Sequence, residues 1–196
     1  MFELLGEHPI AGVILGCEVG LWVLLGLGLA LRYLARLRRL STAVLLGIPL
    51  LDVVLVVATA IDLHRGAVAD ATHGLAGVYL GFSVAFGPTL VRWADARFAH
   101  RFAGGPPPVR APKSGPARRR YLWQEWLRVV NAATISSATL GLLVLFIASP
   151  EQDQTLIWWI GRVWVVAGLW FVFGPLWESG RGHREPTDRD RVGSNA

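Results

Sequence analysis

Residues Thr42 to Asp62 read TAVLLGIPLLDVVLVVATAID, an apolar run with one internal charge, Asp52, and a second, Asp62, at its end. A helix that crosses a bilayer needs about 20 mostly apolar residues, so this stretch predicts a transmembrane helix over 42–62. Four other stretches meet the same criterion: 10–33, 73–91, 127–148 and 156–177. The first is too long, and too close to a second span, to read as a removable signal peptide. The fold class expected is therefore all-α, an integral membrane bundle of five transmembrane helices within a single domain, 1–177. The tail 178–196 mixes Arg, Asp, Glu and Gly, which predicts disorder.

Composition agrees with that reading. Charged residues make up 17% of the 196-residue chain and hydrophobic ones 53%, whereas soluble domains carry roughly 25% charge. A soluble one-domain enzyme is excluded. The one cysteine, Cys17, excludes an internal disulfide. The nine tryptophans and 22 glycines suit a membrane protein, in which both residue types are enriched.

The net charge of +5 falls in blocks rather than along a face, so nucleic acid is not an expected partner. One block is Arg32, Arg36, Arg38 and Arg39. The other lies in the loop 92–126, where Arg92, Arg97, Arg101, Arg110, Lys113 and Arg118 to Arg120 accompany Asp95. The remaining connections are acidic or mixed. Basic loops mark the cytoplasmic side, which predicts the N-terminus outside and the C-terminus cytoplasmic. Gly104-Gly105-Pro106-Pro107-Pro108 predicts an extended segment within the 92–126 loop.

An ionisable group inside the hydrocarbon is costly and is a functional candidate by default. Glu18 lies eight residues into the first span, about 12 Å deep, and Asp52 lies ten residues below Asp62, about 15 Å. His73 and Tyr79 on the third span and Arg162 on the fifth share the outer half. Two readings stay open at this point. The acids are either chemical groups, or packing and boundary groups, with Arg162 paired to Glu18 or Asp62. Trp22, Phe82, Phe86 and Trp158 supply aromatic surface near them, to line a site or to pack. Gly12, Gly16 and Gly20, and Gly74, Gly77 and Gly81, make smooth helix faces that favour close packing.

Buried carboxyl groups stay protonated in apolar surroundings, and aromatic faces stabilise cations. A dry bundle with both would suit protonation-initiated cyclisation of a lipophilic polyene, or a proton-coupled carrier. Quinone-coupled disulfide chemistry lacks its cysteine pairs, membrane haem lacks deep histidines, and magnesium-pyrophosphate chemistry lacks its aspartate pairs. No metal or organic cofactor is expected.

Several strings carry a resemblance: Cys17-Glu18-Val19-Gly20-Leu21-Trp22, Pro49-Leu50-Leu51-Asp52, Thr59 to Ala67, His73 to Tyr79, Arg92-Trp93-Ala94-Asp95, and Phe102 to Pro106. They resemble a family of small bacterial integral membrane proteins, similar to the five-span membrane-bound terpene cyclases of the drimentine type. Those cyclise a farnesylated indole diketopiperazine. The resemblance covers about the first 110 residues and implies a membrane-bound isomerase of secondary metabolism, making sesquiterpenoid or meroterpenoid products. Glu18, Asp52, Asp62 and Tyr79 would then be the catalytic candidates. Trp22, His73, Phe82, Phe86, Trp158 and Arg162 would contact substrate. The expected partners are a lipophilic prenylated small molecule and membrane lipids, and self-association would offset the small size. The alternative is a non-catalytic membrane protein or small proton-coupled exporter.

Overall fold

In the computed structural model the described residues are 9–181 except 103, 110 and 113, and the side chains of residues 9–11, 13–15, 18, 38, 180 and 181 fall outside the description. The elements are α1 (Pro9–Tyr33), α2 (Arg38–Leu45), α3 (Gly47–His64), α4 (Ala71–Phe102), α5 (Gly115–Phe146), α6 (Pro150–Phe171), a π-helical turn (Val172–Leu176) and α7 (Trp177–Arg181). Among the described residues there is no strand. Among these residues four helical stretches are long and apolar enough to cross a membrane: Arg39–His64, Ala71–Phe102, Gly115–Phe146 and Pro150–Ser179. The apolar part of α1 within the described residues is shorter, Val19–Tyr33. Residues 182–196 of the expected disordered tail, and Arg110 and Lys113 of the basic loop, lie outside the described residues.

The helix ends differ from the expected spans for local reasons. The run from Thr42 to Asp62 divides at Leu46 into α2 and α3, because Pro49 has no N–H to offer the Leu45 carbonyl. α3 closes in a Schellman turn, in which the Ala67 N–H reaches the Asp62 carbonyl at 3.2 Å and the Gly66 N–H reaches Leu63 at 3.0 Å. Gly66 has φ +85°, a left-handed conformation that glycine adopts without a Cβ clash. The helix pair α4 and α5 runs through much of the expected 92–126 loop, leaving only 103–114 as its connection. Pro116 in the first turn of α5 costs nothing there, since that N–H has no intrahelical partner. The π turn coincides with Pro175, whose ring cannot continue the regular ladder.

Packing follows chain order. α1 rests on α2 and α3, α3 on α4, α4 on α5, and α5 on α6, while α4 also meets α6. The apolar core joins Leu63, Leu140, Leu143 and Leu156. Close approaches are made by glycine, as expected for small-residue faces. A Cβ at Gly81 would lie 2.5 Å from the Ala132 carbonyl, and one at Gly77 would lie 2.8 Å from Leu140. On α1 the approaches come at Gly20, against Leu51, and Gly28, against Leu45, whereas Gly16 meets nothing. Large apolar side chains such as Trp22, Leu145, Phe146 and Phe173 stand exposed on the outside of the bundle, a surface that requires lipid. The protein is an integral membrane protein.

Candidate functional site

The α3–α4 pair carries the site, and two contacts fix its antiparallel register. Near one end the Asp62 carboxylate on α3 faces His73 Nε2 on α4 at 3.1 Å. Ten residues down both helices, Asp52 comes beside Ser83. At about 1.5 Å per residue the two levels are some 15 Å apart.

Asp52 is 5% exposed, and its Oδ2 has no hydrogen-bond partner among the described residues. The Ser83 hydroxyl lies 3.2 Å from the Leu80 carbonyl and is also within hydrogen-bonding reach of the Asp52 carboxyl. On the α1 side, the Cys17 thiol lies 4.0 Å from the Leu51 carbonyl, within electrostatic reach of Asp52. A buried polar atom without a partner carries a desolvation cost of about 1–3 kcal/mol, and Asp52 Oδ2 is such an atom. Glu18 belongs to the same part of α1 by sequence, but its side chain lies outside the described residues.

The Asp62 level is different in kind, because its groups satisfy one another. His73 is buried, with Asp62 at Nε2 and Asp70 Oδ1 2.7 Å from Nδ1. Asp70 caps α4: its Oδ1 accepts from the Thr72 N–H at 2.9 Å and the Thr72 hydroxyl at 2.5 Å, as an N-cap carboxylate does. Partial burial pushes the Asp70 carboxyl upward, but the bonds from Thr72 and His73 outweigh it and hold the group below its ordinary value. Nearby, the buried Gln152 side chain donates to the carbonyls of Leu63, at 3.2 Å, and Ala67, at 2.5 Å. These contacts fasten the α3–α4 turn to α6.

The aromatic candidates are distributed unevenly. Tyr79, Phe82 and Phe86 recur at helical spacing on one side of α4, and the Phe82 and Phe86 rings stack with centroids 4.8 Å apart. This stripe shares the depth of Asp52 and is partly open: Tyr79 is 37% and Phe82 49% exposed. Trp22 points away from the bundle, 71% exposed. Trp158 is also outward, and the Arg162 guanidinium lies over it at 4.8 Å and over Trp159 at 5.0 Å. Arg162 forms no ion pair among the described residues, so the alternative of pairing with Asp62 is replaced by cation–π contact with its own helix. Thus Asp62 and His73 come together, Asp52 shares a level with Phe82 and Phe86, and Trp22, Trp158 and Arg162 are exposed on the outside of their helices.

Sequence reasoning passed over two polar contacts. Asp95 on α4 receives Arg32 at 2.5 Å and also the Tyr33 hydroxyl, both from the end of α1. Its one visible signal was an acid within a basic block. Gln152 was visible as the fourth member of Ser149-Pro150-Glu151-Gln152, a capping box whose Gln side chain bonds the Ser149 N–H at 2.8 Å. Among the described residues, no group of three or more His, Cys, Asp or Glu side chains is placed to hold a metal ion.

No family model matches the chain, and no solved structure matches it. Over 167 residues it is 35% identical to the uncharacterized membrane protein YmcC of Bacillus subtilis (strain 168), an alignment covering 84% of this chain and 89% of YmcC.

Proposed function

The chain belongs to the same family of bacterial membrane proteins as YmcC, and from that premise we propose that it is a membrane-bound terpene cyclase acting on a prenylated, farnesyl-bearing small molecule. The observation that supports this reading is Asp52, a buried carboxyl group with a free oxygen at mid-depth, level with the stacked Phe82 and Phe86 rings. A carboxylic acid kept neutral in apolar surroundings can give its proton to a terminal alkene. The carbocation formed closes rings by internal alkene attack and ends by losing a proton, so the product is an isomer of the substrate. Aromatic faces nearby stabilise the cation, and the absence of bulk water protects it from capture.

In this reading α1 is the fifth span, the N-terminus is outside, and the basic end of the bundle is cytoplasmic. The substrate reaches Asp52 sideways from the bilayer, past the half-exposed stripe of α4. Tyr79 and Asp62 are the candidates to take the final proton, with Glu18 a second candidate acid. The test is expression in a host supplied with farnesylated acceptors, followed by a search for products of unchanged mass and fewer alkenes.

A second reading, a non-catalytic membrane protein or small proton-coupled exporter, is favoured by the Asp62–His73–Asp70 cluster. Its groups satisfy one another, as in architecture. Loss of cyclisation from every acceptor tried would leave this reading in place.

A further inference from the structure

One end of the bundle carries exposed cations that have no ion-pair partner among the described residues. α4 and α5 each run 32 residues, about 48 Å at 1.5 Å per residue, against roughly 30 Å of hydrocarbon. At the other end the helices finish nearly flush, at His64, Ala71, Phe146 and Pro150. The overhang is therefore all at the basic end. The contacts of Gly77 with Leu140 and Gly81 with Ser136 set the register of the pair. Carried down both helices, that register brings Arg97 level with Arg120 and Arg101 level with the first turn of α5.

Arg97, Arg101, Arg119 and Arg120 are exposed and form no ion pair among the described residues. Two of the acids at this end are engaged elsewhere: Asp95 by Arg32 and Tyr33, and Glu125 by Arg128. Glu178 forms no ion pair among the described residues. Like charges held level on neighbouring helices repel each other, and an anion between them relieves the repulsion. Apolar rings accompany these cations. Arg97 lies over Trp93 at 5.0 Å, and Trp93 and Phe102 are mostly exposed, which is the arrangement of residues seated at a lipid headgroup layer.

From this we propose that the overhanging ends of α4 and α5 form a docking surface for anionic phospholipid headgroups, with Arg97, Arg101, Arg119 and Arg120 as phosphate ligands. The guanidinium fork matches phosphate geometry. The rings beside it distinguish a lipid, whose acyl chains extend into the same leaflet, from a soluble anion. The surface does not depend on the cyclase reading.

The experiment is native mass spectrometry of the full-length protein released from nanodiscs holding equal phosphatidylcholine and phosphatidylglycerol. The expected result is retention of phosphatidylglycerol over phosphatidylcholine, falling by up to about fivefold for each arginine replaced. The variant Arg97→Gln/Arg101→Gln/Arg119→Gln/Arg120→Gln should retain both lipids equally, while Arg65→Gln, at the opposite end, keeps the wild-type preference. Should the fourfold variant fail to fold, Arg119→Gln/Arg120→Gln on the exposed first turns of α5 decides, by losing a large part of the preference. Equal retention by the wild type, or an undiminished preference in the arginine variants, overturns the proposal. So does displacement of the lipid by excess inorganic phosphate, which would mark a free-phosphate site.

Discussion

His73 Nε2 lies 3.1 Å from Asp62 Oδ2, joining α4 to α3 across the turn that links them. Since the ring is buried and its other nitrogen faces Asp70, a substitution at 73 removes a partner from two carboxylates at once, of which Asp70 keeps its bonds from Thr72. His73→Phe is expected to lower stability by about 2 kcal/mol, the range for hydrogen bonds to charged groups. Thermal unfolding in detergent measures it, and a loss no larger than that of Asp70→Asn would count against the pairing with Asp62.

Asp70 sets an acid limit. Its carboxyl is held below the ordinary value near 3.8, so the unfolded chain binds the proton more readily than the folded one. The stability it contributes is present in full above that ordinary value and is lost as pH falls through the lower folded value. The unfolding midpoint of the wild type should therefore drop more steeply below pH 3.8 than that of Asp70→Asn. Parallel curves for the two proteins would contradict the assignment.

Glycine substitutions separate contact from composition. Gly81→Ala forces a methyl group against the Ala132 carbonyl and Ser136, and should cost about 1–3 kcal/mol as an overpacked site. Gly16→Ala meets nothing and should be neutral or slightly stabilising, since alanine favours helix. Equal effects at both positions, read from urea or thermal unfolding, would argue that the α4–α5 seam is looser than described.

Gln152→Ala removes the back-bond of the capping box and two donors to the α3–α4 turn. The expected loss is about 1–3 kcal/mol. Hydrogen exchange should show it first at Leu63 to Ala67, and protection unchanged there would sink the idea that Gln152 fastens the turn.

The apolar runs that identify spans were legible because the bilayer criterion depends on composition and length alone. The break at Leu46 was less so: Pro49 disrupts one ladder bond, and whether a helix bends or stops there depends on what packs beside it. The overhang of α4 and α5 was hidden for a different reason. Arginine is a good helix former, so a basic stretch such as Arg92 to Arg101 reads equally as loop or as helix. Among the site residues, Asp62 and His73 were both placed toward the same end of the bundle, but their contact depends on which helix faces meet and was not read from the sequence. The contact of Arg162 with Trp158 and Trp159, four and three residues back on its own helix, was open to helical spacing but was passed over for an acid on a neighbouring helix.

Asp52 carries the functional account, and its central test is cyclisation in D2O by the purified protein in nanodiscs, comparing the wild type with Asp52→Asn. The account predicts a wild-type product that carries one deuterium at the carbon protonated first. It also predicts a rate for Asp52→Asn lower by at least about 100-fold, the usual contribution of a general acid, with helicity and unfolding midpoint kept. A deuterium-free product, or an Asp52→Asn variant as fast as the wild type, would contradict it.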